Sequence, residues 1–591
     1  MNPLANLFAV MDEDPFSLGR IEAALRAGRA FDRVWRPARR WIAARRALPS
    51  SSGDPSSFAD QLAFAEGGDL FDAGSGARSG AIEDLIEVVD TCPRDLLRFT
   101  GDFGFIRFEH SGRASVVRSC RGLVPFYLFE GRGRAAISTR LGDIARYLPL
   151  EPRLDAFAAA IWTNGWPVMP DGRTTLAGAR ILDRGSYAVL RPESPVQSWR
   201  YWDPRPYELT LPTPAAEREH VEEFRDALIA SLDRDLATQD NLLCFSGGVD
   251  SSALAAVARR VLGRPLLAIS YLPPDPALKE RDLSYITPLA AELGFARHWQ
   301  SVLDPASRLA LTSLAPRVVV PVGYHVSCAL PRLVQEAPIR VVLGGEFADE
   351  LCGSLARFGD WVDHTSVVDL LQWKRLPTGP RDALSWLRWR SRSRRRRPII
   401  RLPSELSELY HPELRAEYRE WRARISDQVA YDTRPHRMLT LFGRLDGWLA
   451  ESWEAATHCN VRPSSPFCTR RLIEIGYRLH PREMLSRGTK QILRRAVADY
   501  LPSRHVGRAD KGHWGHYAEG SDFALEGSLP AELEGVLKPD FFDRPPGSVA
   551  YWDRLRIVML TNIVEGIREQ RSARASDSAA ALLPAAVGCE S

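Results

Sequence analysis

The stretch LLCFSGGVDSSALAAVARR, from Leu242 to Arg260, decides the fold of this chain. Four apolar residues typical of a buried strand lead into Ser-Gly-Gly, and an Ala- and Val-rich stretch typical of a helix follows. In an open parallel sheet, ligands bind where a strand ends and the next helix begins. Glycines there let the backbone approach a ligand, and the N–H groups of the helix N-terminus favour an anion. The segment therefore predicts a phosphate-binding loop.

An aspartate, Asp250, stands inside this loop, which lacks the lysine of a GxxxxGK[ST] phosphate loop. An acid beside a polyphosphate is repulsive unless a divalent cation lies between them. Asp250 therefore predicts bound Mg²⁺, which prefers carboxylate and phosphate oxygens. A structural turn with Asp or Ser capping the helix would explain a lone Gly-Gly pair, but not the full seven-residue pattern.

Two later segments supply further candidates. VVLGGEFADELCGS (341–354) repeats the order of apolar strand, glycine pair and acids, so we expect Asp349 to be the second metal ligand. Taken alone, it could equally be a charged helix N-terminus. In RGTKQILRRAVADYLP (487–502), Lys490 precedes an amphipathic helix and could neutralise charge on a phosphate or an oxyanion. Taken alone, it would be an ordinary surface lysine.

Composition narrows the class of protein. The chain has 591 residues, a net charge of +4 and eight scattered cysteines, so we expect more than one domain, and neither disulfides nor structural metal. We expect no nucleic-acid partner and no membrane span. The N-terminus has acids where a signal peptide has Lys or Arg, which predicts a cytoplasmic protein. The Arg-rich run 388–398 indicates a solvated loop or a contact for an acidic partner or peptide.

The first ~200 residues predict an antiparallel β domain. Residues 1–90 are loosely patterned, whereas FTGDFGFIRFEHSGRASVVRS (99–119), GLVPFYLFEGRGRAAISTR (122–140) and GARILDRGSYAVLRP (178–192) each predict a hairpin. A Pro-rich linker (198–214) follows.

Beyond the linker, strands alternate with helices, which predicts a doubly wound parallel sheet. The pattern becomes mostly helical after Leu406, and the last residues are of low complexity. We predict domains over 1–205 and 206–570, and a disordered tail over 571–591.

In this order, the three site segments resemble the asparagine synthetase family. SGGVDSS resembles its pyrophosphatase-type ATP loop, GGEFADE its GxGxDE block, and residues 463–497 its PFLD…GxxKxxLR block. The resemblance spans roughly 96–512. It implies an N-terminal Ntn-amidotransferase-like β domain, then a PP-loop ATP pyrophosphatase domain with a helical C-terminal part.

The resemblance also implies ATP and Mg²⁺ as cofactors and a role for each site residue. Asp250 and Asp349 would hold Mg²⁺, Lys490 would stabilise charge in the transition state, and Glu346 would orient or deprotonate the attacking amine. The pyrophosphate would be held by Ser246, Gly247, Gly248 and Ser251, and the adenine and ribose lined by the backbone of Cys244, Ile269 and Gly345.

Departures from the family pattern indicate the branch. Glutamine-hydrolysing members carry a cysteine directly after the initiator methionine, whereas the first cysteine here is Cys92. The glutamine-holding RGPD and NGEI types of segment are also absent from the first 100 residues. We therefore expect an inactive glutaminase domain. SSPFCT further replaces the PFLD sequence, with Cys468 and Thr469 in its last two places.

A member that makes no ammonia must use another amine. The lasso-peptide cyclase branch fits best, which implies a precursor peptide as substrate, with a leader-peptide-binding protein and a leader protease as partners. Trp373, Trp386 and Trp389 could help to hold the peptide or simply pack a helix. The alternatives are an asparagine synthetase-like or β-lactam-type ligase using ammonia or a small amine, and a non-catalytic nucleotide-binding scaffold.

Overall fold

The structure is a computed structural model. It describes residues 5–28, 30–38, 40–47, 62–67, 71–72, 87–89, 91, 93–100, 103–131, 133–148, 151–164, 170–191, 194–203, 213–353, 405–430, 445–480, 483, 489–508, 529–539 and 551–582. The Arg-rich run 388–398, the three tryptophans at 373, 386 and 389, and the predicted domain boundary at 205 lie outside these residues.

The N-terminal part is built from two antiparallel sheets and a short strand pair. The strands are β1 (Ala5–Asp12), β2 (Arg33–Ala38), β3 (Trp41–Ala47), β4 (Leu62–Gly67), β5 (Phe71–Asp72), β6 (Phe99–Thr100), β7 (Phe103–Phe108), β8 (Ala114–Arg118), β9 (Tyr127–Gly131), β10 (Arg134–Ser138), β11 (Ala179–Ile181), β12 (Ser186–Arg191) and β13 (Ser194–Arg200). One sheet has the order β11-β9-β10-β1-β3-β2, the other β13-β12-β8-β7-β4, and β5 pairs with β6.

Strand β1 shows why the two sheets stack. Its alternate residues point to opposite faces, as in any strand. Leu7 and Ala9 share a core with Phe105 of the second sheet, whereas Phe8 and Val10 face the core formed with the surrounding helices. Because both faces are buried, the strand is a continuous apolar run without alternation. That is why the sequence pattern of residues 1–90 did not reveal it.

Two of the three predicted hairpins are confirmed, since β7 pairs with β8 and β9 with β10. The hairpin predicted over 178–192 is wrong. Strand β11 pairs with β9 in the first sheet, whereas β12 pairs with β8 in the second. The chain crosses between the sheets at Gly185, which has φ +59° and donates its N–H to the carbonyl of Ser119.

The second part contains the predicted parallel sheet. Its strands are β14 (Asn241–Cys244), β15 (Leu266–Leu272), β16 (Arg297–Val302), β17 (Val341–Leu343) and β18 (Arg462–Ser464), in the order β16-β15-β14-β17-β18. Every pair is parallel. The chain winds from β14 to one side through β15 and β16, then returns to the other side at β17. This reversal is a topological switch point, where such sheets bind ligands.

The helices complete the architecture. They are α1 (Pro15–Ala27), α2 (Leu141–Tyr147), α3 (Ala156–Thr163), α4 (Pro214–Asp235), α5 (Val249–Ala256), α6 (Pro276–Leu293), α7 (Pro305–Ser313), α8 (His325–Glu336), α9 (Ala348–Cys352), α10 (Pro412–Ala430), α11 (Leu445–His458), α12 (Arg470–Arg478), α13 (Gln491–Ala496), α14 (Ser503–Val506) and α15 (Tyr551–Leu582). In the described residues beyond 405, helices predominate, as predicted.

The last helix corrects the predicted tail. We predict disorder from 571, but α15 continues to Leu582. It packs against α1 and α2 of the N-terminal part and α7 of the second part. Ala-rich sequence favours the helix, and Arg571 pairs with Glu151 at 2.9 Å. Residues 583–591 lie outside the description. Among the described residues, no helix is long and apolar enough to cross a bilayer.

Candidate active site

The loop after β14 is shaped by its own residues. Gly247 turns the chain at φ +66°, and Gly248 precedes the first turn of α5. The hydroxyl oxygens of Ser246 and Ser251 lie 3.1 Å apart, and the N–H of Ser246 donates to Ser251 Oγ at 3.1 Å. Ser246 is exposed and Gly248 half-buried. The loop therefore presents hydroxyls and a helix N-terminus to an anion.

The loop after β17 lies directly beside the first loop. A Cβ placed on Gly345 would lie 3.6 Å from Asp250 Cβ. Asp349 is in the first turn of α9. Before it, Phe347 occupies the second glycine position of the GxGxDE block and adopts φ +77°. This departure from the block was not predicted, and it puts a bulky residue in a left-handed conformation.

Lys490 brings the two loops together electrostatically. Its ammonium contacts Asp250 Oδ2 and, at 2.7 Å, Asp349 Oδ1. Because both oxygens contact one nitrogen, the two carboxylates are at most two hydrogen bonds apart. Burial disfavours the charge on Lys490, but the two carboxylates outweigh it and raise its pKa. The structure thus places all three predicted residues at one point, although they come from distant parts of the chain.

Glu346 lies at the edge of the same site. Burial raises the pKa of its carboxyl group, although the Ser465 hydroxyl donates to Oε2 at 3.3 Å and acts in the opposite direction. A carboxylate whose pKa is raised is a stronger base than an ordinary glutamate, so it is better suited to accept a proton. Ser465 belongs to the segment that departs from PFLD. Its contact was not predicted, because the two residues are 119 positions apart.

The same segment has clear structural roles. Cys468 is fully buried in the main core. Thr469 caps α12, where its hydroxyl accepts from the N–H of Leu472 at 3.4 Å. These two replacements therefore pack and cap the helix in this chain.

Two of the three residues predicted to line adenine and ribose are neighbours. Cys244, the last residue of β14, is paired in register with Ile269 in the middle of β15. Ile269 is buried and Cys244 half-buried. Burial raises the pKa of the Cys244 thiol to about 12, despite its hydrogen bond with the Tyr324 side chain, so the thiol stays neutral. Their contact with a nucleotide stays a prediction.

One buried acid near Glu346, Glu451, was not predicted from the sequence. Glu451 on α11 accepts the backbone N–H groups of Gly323 at 2.8 Å and Tyr324 at 2.5 Å. Burial raises the pKa of Glu451 to about 7. The Glu346 carboxylate also raises it. A glutamate on the apolar face of LDGWLAESWEAATH was the available signal, since acids are rarely buried without partners.

Comparison with known proteins agrees with this geometry. A family model described as asparagine synthase matches residues 223–541, which is more than half of the chain. Among curated proteins, no match was found. The matched range includes both strand-end loops and Lys490.

Several solved structures are distantly similar. Glutamine phosphoribosylpyrophosphate amidotransferase from B. subtilis, complexed with ADP and GMP, is 12% identical over 57% of this chain and 90% of its own, with a TM-score of 0.23. A U34-tRNA thiolase from Methanococcus maripaludis is 13% identical over 38% and 80%, with a TM-score of 0.19. An NMN synthetase from Francisella tularensis is 18% identical over 30% and 94%, with a TM-score of 0.18.

Proposed function

Because this chain belongs to the asparagine synthase family and is an ATP-dependent ligase, we propose that it closes a macrolactam ring on a precursor peptide. In the first step, a side-chain carboxylate of an Asp or Glu in the peptide attacks the α-phosphorus of ATP. In the second step, the N-terminal amine of the same peptide attacks the acyl-adenylate, and AMP leaves.

The observation that carries the ATP chemistry is the meeting of Asp250, Asp349 and Lys490 at the switch point of the sheet. The two carboxylates converge on a cation, the ammonium, so this point is arranged to hold positive charge. Two hard oxygen donors of this kind suit Mg²⁺. Asp250 and Asp349 would hold it, and it would neutralise phosphate charge there.

The remaining residues have separate roles in adenylation. Ser246, Gly247, Gly248 and Ser251 provide donors for the pyrophosphate. Lys490, whose ammonium contacts both carboxylates, would stabilise the charge on the phosphate in the transition state. The bond between the α-phosphorus and the bridging oxygen breaks, and that oxygen leaves with pyrophosphate.

Glu346 is placed to act in the second step. An attacking ammonium group must lose a proton before it becomes a nucleophile. Glu346 lies at the rim of the site with a raised pKa, and its half-buried side chain remains accessible. We assign it the role of orienting or deprotonating the amine.

The choice of a peptide amine rests on the departures in the N-terminal domain. Among its described residues the single cysteine is Cys120, which is buried and contacts Tyr201. A buried core thiol is unsuited to glutamine hydrolysis, which needs an accessible nucleophile. A peptide substrate also implies a leader-peptide-binding protein and a leader protease as partners.

An exchange assay tests both the adenylation and the choice of a peptide as the substrate. Labelled pyrophosphate should enter ATP only when a carboxylate substrate is present, because exchange requires reversible adenylation. The probes are free aspartate with ammonia, and synthetic peptides that begin with glycine and carry one Asp or Glu several residues later. We expect exchange with a peptide and none with aspartate.

Modified peptides provide the controls. Acetylating the peptide N-terminus should preserve exchange but prevent ring closure. Ring closure is detected by mass spectrometry, because the cyclised peptide is lighter than the linear peptide by one water. Replacing the acidic residue with its amide should abolish both. Exchange driven by free aspartate would instead favour the asparagine synthetase-like alternative. The absence of exchange with every carboxylate would contradict adenylation.

A further inference from the structure

A second cationic side chain, Arg508, lies against the turn of the phosphate loop. A Cβ placed on Gly247 would lie 3.2 Å from Arg508 Nη1. Arg508 is only 5% exposed, although it lies 18 residues beyond Lys490 in sequence. The site therefore has cationic side chains at two places: Lys490 at the carboxylates and Arg508 at the glycine turn.

The guanidinium group of Arg508 is held from two directions. Its Nη2 pairs with Asp282 Oδ1 at 2.6 Å, and its Cζ lies 4.2 Å from the ring centroid of Tyr285. Asp282 and Tyr285 are both on α6, the helix that follows β15. A buried ion pair and an aromatic face together fix the plane of the group. The head group is therefore positioned before any ligand binds.

Arg494 ties Arg508 to the Lys490 segment. Its Nη2 donates to the carbonyl of Arg508 at 2.6 Å, and its Nε donates to the carbonyl of Thr489 at 2.8 Å. Thr489 is the residue before Lys490. One side chain thus connects the backbone segments that carry the two cationic groups, so their spacing is set within the fold.

From this placement we propose that Arg508 is a further phosphate-binding residue that holds the β- and γ-phosphates, and therefore the pyrophosphate product. Guanidinium groups bind phosphate through two parallel hydrogen bonds. The proposal rests on the proposed adenylation, in which the electron pair of the breaking bond leaves with pyrophosphate. The negative charge of the leaving group grows in that step. A cationic group beside Gly247 is placed to stabilise this growing charge. An arginine that served only to pack against α6 would not need to lie beside the phosphate loop.

The test compares ligands that differ in their phosphates. Calorimetry on the full chain with Mg²⁺ would measure dissociation constants for ATP, pyrophosphate and AMP in wild type, Arg508→Gln and Arg508→Lys. We expect Arg508→Gln to weaken ATP and pyrophosphate by about 10- to 100-fold, the value of a charged hydrogen bond. AMP, which lacks the β- and γ-phosphates, should change less than about 2-fold. Arg508→Lys should give an intermediate loss, since it keeps the charge but not the fork.

Arg260 offers a matched control. Like Arg508, it pairs with a carboxylate, that of Glu292, and it also donates to the backbone carbonyl of Tyr500 at 2.7 Å. It lies in the helical turn Val257–Val261 that continues α5, roughly 15 Å from the phosphate loop. Arg260→Gln should leave all three affinities unchanged.

Three results would overturn the proposal. Unchanged binding of pyrophosphate in Arg508→Gln would remove Arg508 from the site. Equal weakening of AMP, ATP and pyrophosphate would indicate a structural role. If Arg508→Gln fails to fold, Asp282→Asn is the second variant, because it frees the guanidinium of Arg508 from its ion pair and keeps its charge. If Asp282→Asn binds pyrophosphate and AMP with the same selectivity as wild type, the proposal is also contradicted. If wild type binds all three ligands but shows no exchange, the adenylation fails separately from Arg508.

Discussion

The two loops at the switch point carry similar sequences but are stabilised differently. Both follow neighbouring parallel strands and combine a glycine pair with an aspartate. In the first, Gly247 takes the positive φ, and the hydrogen bond between Ser246 and Ser251 holds the turn. In the second, the positive φ falls on Phe347, where a side chain costs about 1–2 kcal/mol.

The second loop is supported by the N-terminal domain. Phe347 is 1% exposed, and the guanidinium of Arg184 lies 4.8 Å from its ring centroid. Arg184 precedes β12 and pairs with Asp446 at 3.0 Å. Burial and the cation–π contact offset the backbone strain. The first loop is thus locally determined, whereas the loop carrying Glu346 and Asp349 depends on a domain that we expect to have lost its own activity.

The largest expected effect comes from removing one carboxylate from each loop. Asp250→Asn and Asp349→Asn should each lower ATP–pyrophosphate exchange by about 1,000-fold, since a metal ion contributes several kcal/mol to transition-state stabilisation. Similar losses would show that both loops contribute equally to the metal site.

Asp304→Asn is a suitable control for these variants. Asp304 caps α7 by accepting from the N–H of Ser307 at 2.7 Å, and Asn is an equally good cap. Its exchange rate should match wild type. Near-normal exchange in Asp349→Asn would restrict the metal site to the first loop.

The next effect is that of Lys490, which contacts both loops. Lys490→Ala should lower exchange by several hundred-fold, which corresponds to about 3–4 kcal/mol. ATP binding, measured by calorimetry, should change little, because the metal ion and the loop amides remain. Wild-type turnover in this variant would refute the assigned role.

The difference between the loops also explains which features of the site could be predicted from the sequence and which could not. SGGVDSS is a local pattern, so its turn, its helix and the position of Asp250 follow from nearby residues. The convergence of Asp349 and Lys490 follows from the parallel sheet and the resemblance. The Ser465–Glu346 contact and the stacking of Arg184 on Phe347 join residues far apart in the chain, and no local pattern encodes them. Strand β1 was missed for the opposite reason, because burial of both faces removed its periodicity.

A smaller effect is expected for Glu346, which affects the second step only. Burial raises the pKa of its carboxyl group, so the base is protonated and inactive at low pH and becomes competent as pH rises through that raised pKa. Amide formation should follow this rise. Glu346→Gln should lower it by about 100-fold and flatten the profile.

Exchange provides the internal control for Glu346→Gln, since adenylation precedes amine attack and should be nearly unchanged. A pH profile of amide formation that stays the same in the variant would assign the base to another group.

The smallest effects on catalysis come from swapping the residue types at the two turns. Phe347→Gly relieves about 1–2 kcal/mol of backbone strain but removes a buried aromatic worth about 3–5 kcal/mol. We expect urea unfolding to show a net loss of about 1–4 kcal/mol, and exchange to fall by less than about 10-fold.

The reverse substitution at the first turn calibrates this result. Gly247→Ala adds a Cβ that would lie 3.0 Å from Ile286 Cγ1 at φ +66°. It gains no compensating packing, so it should affect exchange more than stability, in contrast to Phe347→Gly. If Phe347→Gly instead stabilised the protein, the strain at Phe347 would outweigh its packing. Support of the second loop by the N-terminal domain would then be contradicted, because removing the ring that contacts Arg184 would have cost nothing.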